Sequence, residues 1–133
     1  MKKLLVAAII SLSSISTAAL AEIKVGIILG FTGPIESLTP AMRDGAKLAF
    51  LEASNSGNLL GGETFTILEA DSTCVDSAAA TAAAEQLVAD GVSAIMGADC
   101  SGVTGAINAN VAVPNGVLMV SPSATSPGLS KIA

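Results

Sequence analysis

The chain contains no histidine. That absence excludes Ser-His-Asp and Cys-His catalysis and most zinc sites, all of which need an imidazole as base or ligand. Positive charge is scarce as well. After Ala21 the only basic residues are Lys24, Arg43, Lys47 and Lys131, set against eleven carboxylates. Binding to a phosphate backbone rests on clustered Lys and Arg, so no nucleic-acid partner is expected. The apolar stretch Leu4–Leu12 is shorter than the ~20 residues a membrane-spanning helix needs, and no second such stretch follows. The acidic residues Glu36, Asp71, Asp76 and Asp99 match no EF-hand spacing and read as solvated loop charges, so no metal site is expected.

What the N-terminus does have is the anatomy of an export signal. Lys2 and Lys3 supply the charged start, Leu4–Leu12 the apolar centre, and Ala19-Leu20-Ala21 a small-x-small cleavage site. Residues 1–21 are therefore expected to be a signal peptide, with a soluble periplasmic domain beginning at Glu22. A chain of this length suits one small domain. Its last residues, Pro127–Ala133, look like the opening turn of an unfinished helix, which suggests the front part of a longer protein.

From Glu22 onward, strand-like and helix-like segments alternate. Ile23–Leu29 is apolar enough for a strand buried on both faces. After the turn-rich loop Gly30–Thr39, a helix is predicted from Pro40 to about Ser54, with Met42, Ala46, Ala49 and Ala53 on its inner stripe. Thr64–Ala70 is predicted as the second strand. Ser77–Asp90 is an alanine-rich helix that Asp76 or Ser77 would cap and Gly91 would stop. Ala94–Met96 is a third strand, Gly102–Ala112 a weaker helix, and Val117–Val120 a fourth strand. Strict βα alternation implies crossover connections: an α/β fold with a parallel sheet and helices on both faces.

The most chemically distinctive segment follows the fourth strand. Val117–Leu129 runs from apolar residues into Ser121, Ser123, Thr125 and Ser126, punctuated by Pro122 and Pro127. In α/β proteins small ligands are held at the carboxyl ends of strands. The hydroxyls come with no base, which suits binding and not catalysis. Ser101, after the third strand, opens a helix whose N-terminus favours an anion, although an ordinary N-cap serine would look the same. The glycines Gly26, Gly30 and Gly33 are spaced G-x-x-x-G-x-x-G, which departs from the dinucleotide-binding fingerprint, so no nucleotide cofactor is expected. Cys74 and Cys100 are the only thiols. Export would make a disulfide between them the natural state, with two free thiols as the alternative. Such a bridge would contribute roughly 3–4 kcal/mol in the chain-entropy model.

Taken in order, Ile23-Lys-Val-Gly-Ile27, Thr32-Gly33-Pro34, Arg43–Ala49, Ala70-Asp-Ser-Thr-Cys74, Leu87–Val92, Ile95-Met-Gly97, Cys100-Ser101 and Ser121–Pro127 resemble one family. This is the periplasmic substrate-binding proteins of branched-chain amino-acid ABC transporters, the leucine/isoleucine/valine-binding type. The resemblance implies that residues 22–133 are a truncated first lobe of a type I periplasmic binding protein. It further implies a non-enzymatic protein that captures an amino acid for a membrane permease, and a Cys74–Cys100 bridge beside the site. By matching motif, Ser101 would take the α-carboxylate. The Ser123 carbonyl and Thr125 hydroxyl, with Ala124 between them, would take the α-ammonium. Leu38 stands where leucine-binding relatives often carry an aromatic residue, and the sequence has no Tyr or Trp. This keeps relatives that bind amides or urea open, as does a receptor's sensory domain of the same fold.

Overall fold

Near-continuous apolar sequence places Glu22–Leu29 (β1) in the interior of a four-stranded parallel sheet, where Ile27, Ile28 and Leu29 are fully buried. The structure, a computed structural model, describes residues 22–131. The expected signal peptide lies outside the described residues. The remaining strands are Thr64–Asp71 (β2), Ala94–Gly97 (β3) and Leu118–Val120 (β4), in the spatial order β2-β1-β3-β4 with every pairing parallel. The helices are Thr39–Asn55 (α1), Ser77–Ala89 (α2) and Ser101–Ile107 (α3). After α3 comes a wider π turn, Asn108–Ala112, and the short helix Val113–Asn115 (α4).

Both faces of the sheet carry helices, as the βα alternation predicts. Side chains alternate along a strand. Ile28 and Ile95 meet Leu87, Ala80 and Ala84 of α2 and Val103 and Ile107 of α3 in one buried cluster. Val25 and Met96 face the other way, toward Phe50 of α1. That division follows from handedness. The chain crosses from β1 to β2 in one direction and from β2 to β3 in the other, so right-handed crossovers put α1 and α2 on opposite faces. Gly97 allows the tightest approach between strands: a Cβ there would stand 1.9 Å from the Ile28 carbonyl oxygen.

Three expectations, two about helices and one about a strand, need correction. In α1 the inner stripe runs through Phe50, whose ring packs at 5.0 Å on Phe65 of β2, while Ala49 is exposed. The larger ring wins the sheet because burying it removes more apolar surface from water. The helix expected over Gly102–Ala112 begins at Ser101 and continues through the π turn to Asn115. Pro114 has no N–H and would crowd the preceding turn, and the widened turn just ahead of it gives the ring room. Asn115 Nδ2 donates to the Val111 carbonyl at 2.8 Å, and Gly116 ends the helix in the left-handed conformation. Finally, Val117 does not belong to β4, because its N–H donates to the Ala112 carbonyl and closes the helix. Asp76 is the N-cap of α2, accepting from the N–H groups of Ala78 and Ala79.

α1 covers only the β1–β2 half of its face. Over β3 and β4 an apolar strip stays open, formed by Ala94, Met96, Leu118 and Val120, with Leu118 66 % and Val120 60 % exposed. A flat apolar strip beside an edge strand favours association. The polypeptide of this sequence is expected to bind a hydrophobic dye such as ANS, and the double substitution Leu118→Ser, Val120→Thr should reduce that fluorescence severalfold. Equal dye binding by both proteins would show that the strip is covered in solution.

Candidate ligand site at the strand ends

The chain leaves β1 toward β2 and returns past β1 to β3, so the carboxyl ends of β1 and β3 diverge. This is the strand-order reversal at which open α/β sheets bind ligands. Three loops meet there: Gly30–Leu38 after β1, Ala98–Cys100 after β3, and Ser121–Ser126 after β4.

The last two loops are stitched together rung by rung. The Ser121 hydroxyl donates to the Ala98 carbonyl and accepts from the Ala124 N–H at 2.9 Å. The Ser123 hydroxyl donates to the Asp99 carbonyl at 2.9 Å. The Ser101 hydroxyl accepts from the N–H groups of both Thr125 and Ser126 at 3.1 Å. A serine oxygen has two acceptor positions and one hydrogen to give. Ser101 has filled both acceptor positions, so its O–H can act only as a donor. α3 starts with no side-chain cap, which leaves its first N–H groups open beside that hydroxyl. The combination is a set of donors suited to an anion. The Ser123 carbonyl and the Thr125 hydroxyl have no hydrogen-bond partner among the described residues, and Thr125 is exposed.

The structure therefore brings Ser101, Ser123, Ala124 and Thr125 together. Leu38 stands at the start of α1, 56 % exposed. Cys74 and Cys100 form a disulfide with Cα atoms 5.2 Å apart, tying the loop after β2 to the residue preceding Ser101. Among the described residues no group of three or more potential ligands could hold a metal ion.

Asp99 is a correction. It is not a solvated loop charge but 3 % exposed, with its carboxylate accepting from Gly30 N–H, Ser72 Oγ and Cys100 N–H. The signal that could have found it is position: an acidic residue two positions past a buried strand, behind a buried alanine, has backbone N–H groups around it and little water. Asp71 is also engaged. Burial acts to raise its pKa, but the Thr32 hydroxyl and the N–H groups of Thr73 and Thr32 outweigh it and hold the carboxyl below its usual value.

The sequence matches the periplasmic binding protein family model over residues 22–131. The chain belongs to the periplasmic binding protein family. A Leu/Ile/Val-binding protein, BraC3 of Rhizobium johnstonii, is 33 % identical over 129 residues, covering 97 % of this chain and 34 % of the relative. The leucine-specific-binding protein of Salmonella typhimurium is 30 % identical over 129 residues, again covering 97 % and 34 %. Among solved structures, the branched-chain amino acid transporter substrate binding protein LivJ of Streptococcus pneumoniae, in complex with isoleucine, aligns with a TM-score of 0.75 and 34 % identity. It covers 84 % of this chain and 31 % of LivJ. The chain thus spans about a third of the length of the curated relatives it matches. Those relatives are solute-binding proteins and not enzymes. The family match and the sheet topology agree with a type I lobe.

Two outcomes follow from this geometry. Protein purified without reductant is expected to resist alkylation at both cysteines, and quantitative labelling by mass spectrometry would contradict the bridge. Asp71 adds a pH signature. Its lowered pKa contributes stability that is fully present above the ordinary carboxylate range and is lost as pH falls through that range to the lowered value. Asp71→Asn should therefore flatten the acid limb of stability against pH in urea titrations, leaving the neutral region the least altered in slope.

Proposed function

We propose that this protein captures a small aliphatic α-amino acid, branched-chain in the first instance, and presents it to an ABC transporter permease. The observation that carries the reading is the Ser101 hydroxyl. Both its acceptor positions are filled by Thr125 and Ser126, and it lies at an uncapped helix start. A group that can only donate, next to open helix N–H groups, recognises a carboxylate. Two residues past Ser123, the Thr125 hydroxyl and the Ser123 carbonyl offer acceptors to an ammonium. Leucine- and isoleucine-binding relatives support the same ligand class. Export by the N-terminal signal and residence in the periplasm belong to this reading, as does the absence of any catalytic step.

Calorimetry on the intact protein with leucine, isoleucine, valine, alanine and a simple amide tests it. Losing a hydrogen bond to a charged group costs about 1.5–3 kcal/mol, so Ser101→Ala and Thr125→Ala should each weaken binding roughly 10- to 100-fold. Leu38→Ala is expected to change the ranking among side chains and leave the shared head-group affinity in place. Wild-type affinity for every ligand in Thr125→Ala would sink the head-group assignment.

A further inference from the structure

We infer that Asp99 is the positioning residue of the head-group site, a buried acceptor that holds its two halves in register. The inference rests on the amino-acid-binding reading above and adds to it a residue that touches no ligand.

Asp99 sits at the strand-order reversal, in the loop between β3 and α3, and its carboxylate reaches across it. Oδ2 accepts from Gly30 N–H at 2.9 Å, the first residue after β1. Oδ1 accepts from Ser72 Oγ at 3.3 Å, the first residue after β2, and from Cys100 N–H at 3.0 Å. One side chain thereby ties the ends of three strands. Gly30 is shaped to this contact, since a Cβ there would lie 3.3 Å from Asp99 Oδ2 and 3.0 Å from Cys74 Cβ. The main chain of Asp99 completes the link, because its carbonyl accepts from Ser123 Oγ. Its side chain therefore sets the entry of α3, and with it Ser101. Its backbone sets the loop that bears Thr125.

The ion pairs among the described residues are Arg43–Asp44 and Lys47–Glu69, and neither reaches Asp99. A buried carboxylate without a cation is costly unless hydrogen bonds satisfy it. It has no hydrogen to give, so all three partners must point their hydrogens inward. That one-way demand fixes the Ser72 hydroxyl and the Gly30 and Cys100 peptide planes together. An amide at the same place would present an NH2 group to one of those donors. A loosened Asp99 would shift Ser101 against Thr125, and displacements of that kind at a charged head group weaken recognition without removing a contact atom.

The test uses Asp99→Ala and Asp99→Asn in the full chain, with isoleucine as the probe. Asp99→Ala is expected to raise Kd roughly 10- to 100-fold, and Asp99→Asn, which keeps one acceptor oxygen, to recover part of that loss. Added to Ser101→Ala, Asp99→Ala should change Kd little further, because both act on one contact set. Fully additive losses, or an unchanged Kd in Asp99→Ala, overturn the inference. Amide exchange gives a readout independent of ligand and of the Ala variant's folding. Faster exchange at Gly30, Cys100 and Thr125 in Asp99→Asn supports the brace, and unchanged exchange at all three overturns it. If the wild type binds no aliphatic amino acid, the functional reading fails, and the exchange data alone decide the role of Asp99.

Discussion

Beyond Leu29 and Gly97 the ends of β1 and β3 part, because the chain turns one way out of β1 and the other way back into β3. Right-handed crossovers then send α1 to one face and α2 and α3 to the other, so no helix can close the gap. The loops that end there must satisfy their own polar groups. They do so with a carboxylate, a series of Ser and Thr hydroxyls and a disulfide. The Ser101 hydroxyl and the first N–H groups of α3 are the donors of that polar network left open.

This arrangement explains why so many small hydroxyl residues cluster in a chain with few charges. Ser121, Ser123 and Ser101 each bond the neighbouring loop's backbone, and each can act as donor or acceptor according to what faces it. A Lys or Arg could only donate and would bring a charge to be matched. The disulfide performs a related task covalently, joining the loop after β2 to the residue before Ser101. Between the hydrogen-bonded rungs and the covalent tie, the loops after β3 and β4 hold one another in place. Loops held in this way need less ordering for any group that binds at them.

The two faces of the sheet are unequal in a way that also follows from topology. Two consecutive crossovers in the same direction put α2 and α3 side by side, and they enclose Ile28, Ile95 and Leu87 completely. α1 alone serves the opposite face, where Val120 and Leu118 stay exposed. The core that supports the site is therefore the α2–α3 side, directly beneath the entry of α3 at Ser101.

The order and type of the elements were legible in the sequence because they depend on local pattern. Apolar runs with β-branched residues, Asp76 ahead of an alanine series, and Gly91 after it each act within a few residues of chain. The positions of the hydroxyl cluster after β4 and of Ser101 after β3 were legible for the same reason, because strand ends can be read from local pattern. The misplaced details depend on competition across space. Phe50 displaces Ala49 from the sheet because Phe65 lies opposite it, and Val117 leaves the strand because the Ala112 carbonyl takes its N–H. Asp99 belongs to this second class. By itself the sequence shows an acidic residue in a loop. Only the folded sheet brings Gly30 and Ser72 to that residue, from 69 and 27 positions away, and turns a charge expected in water into a buried acceptor.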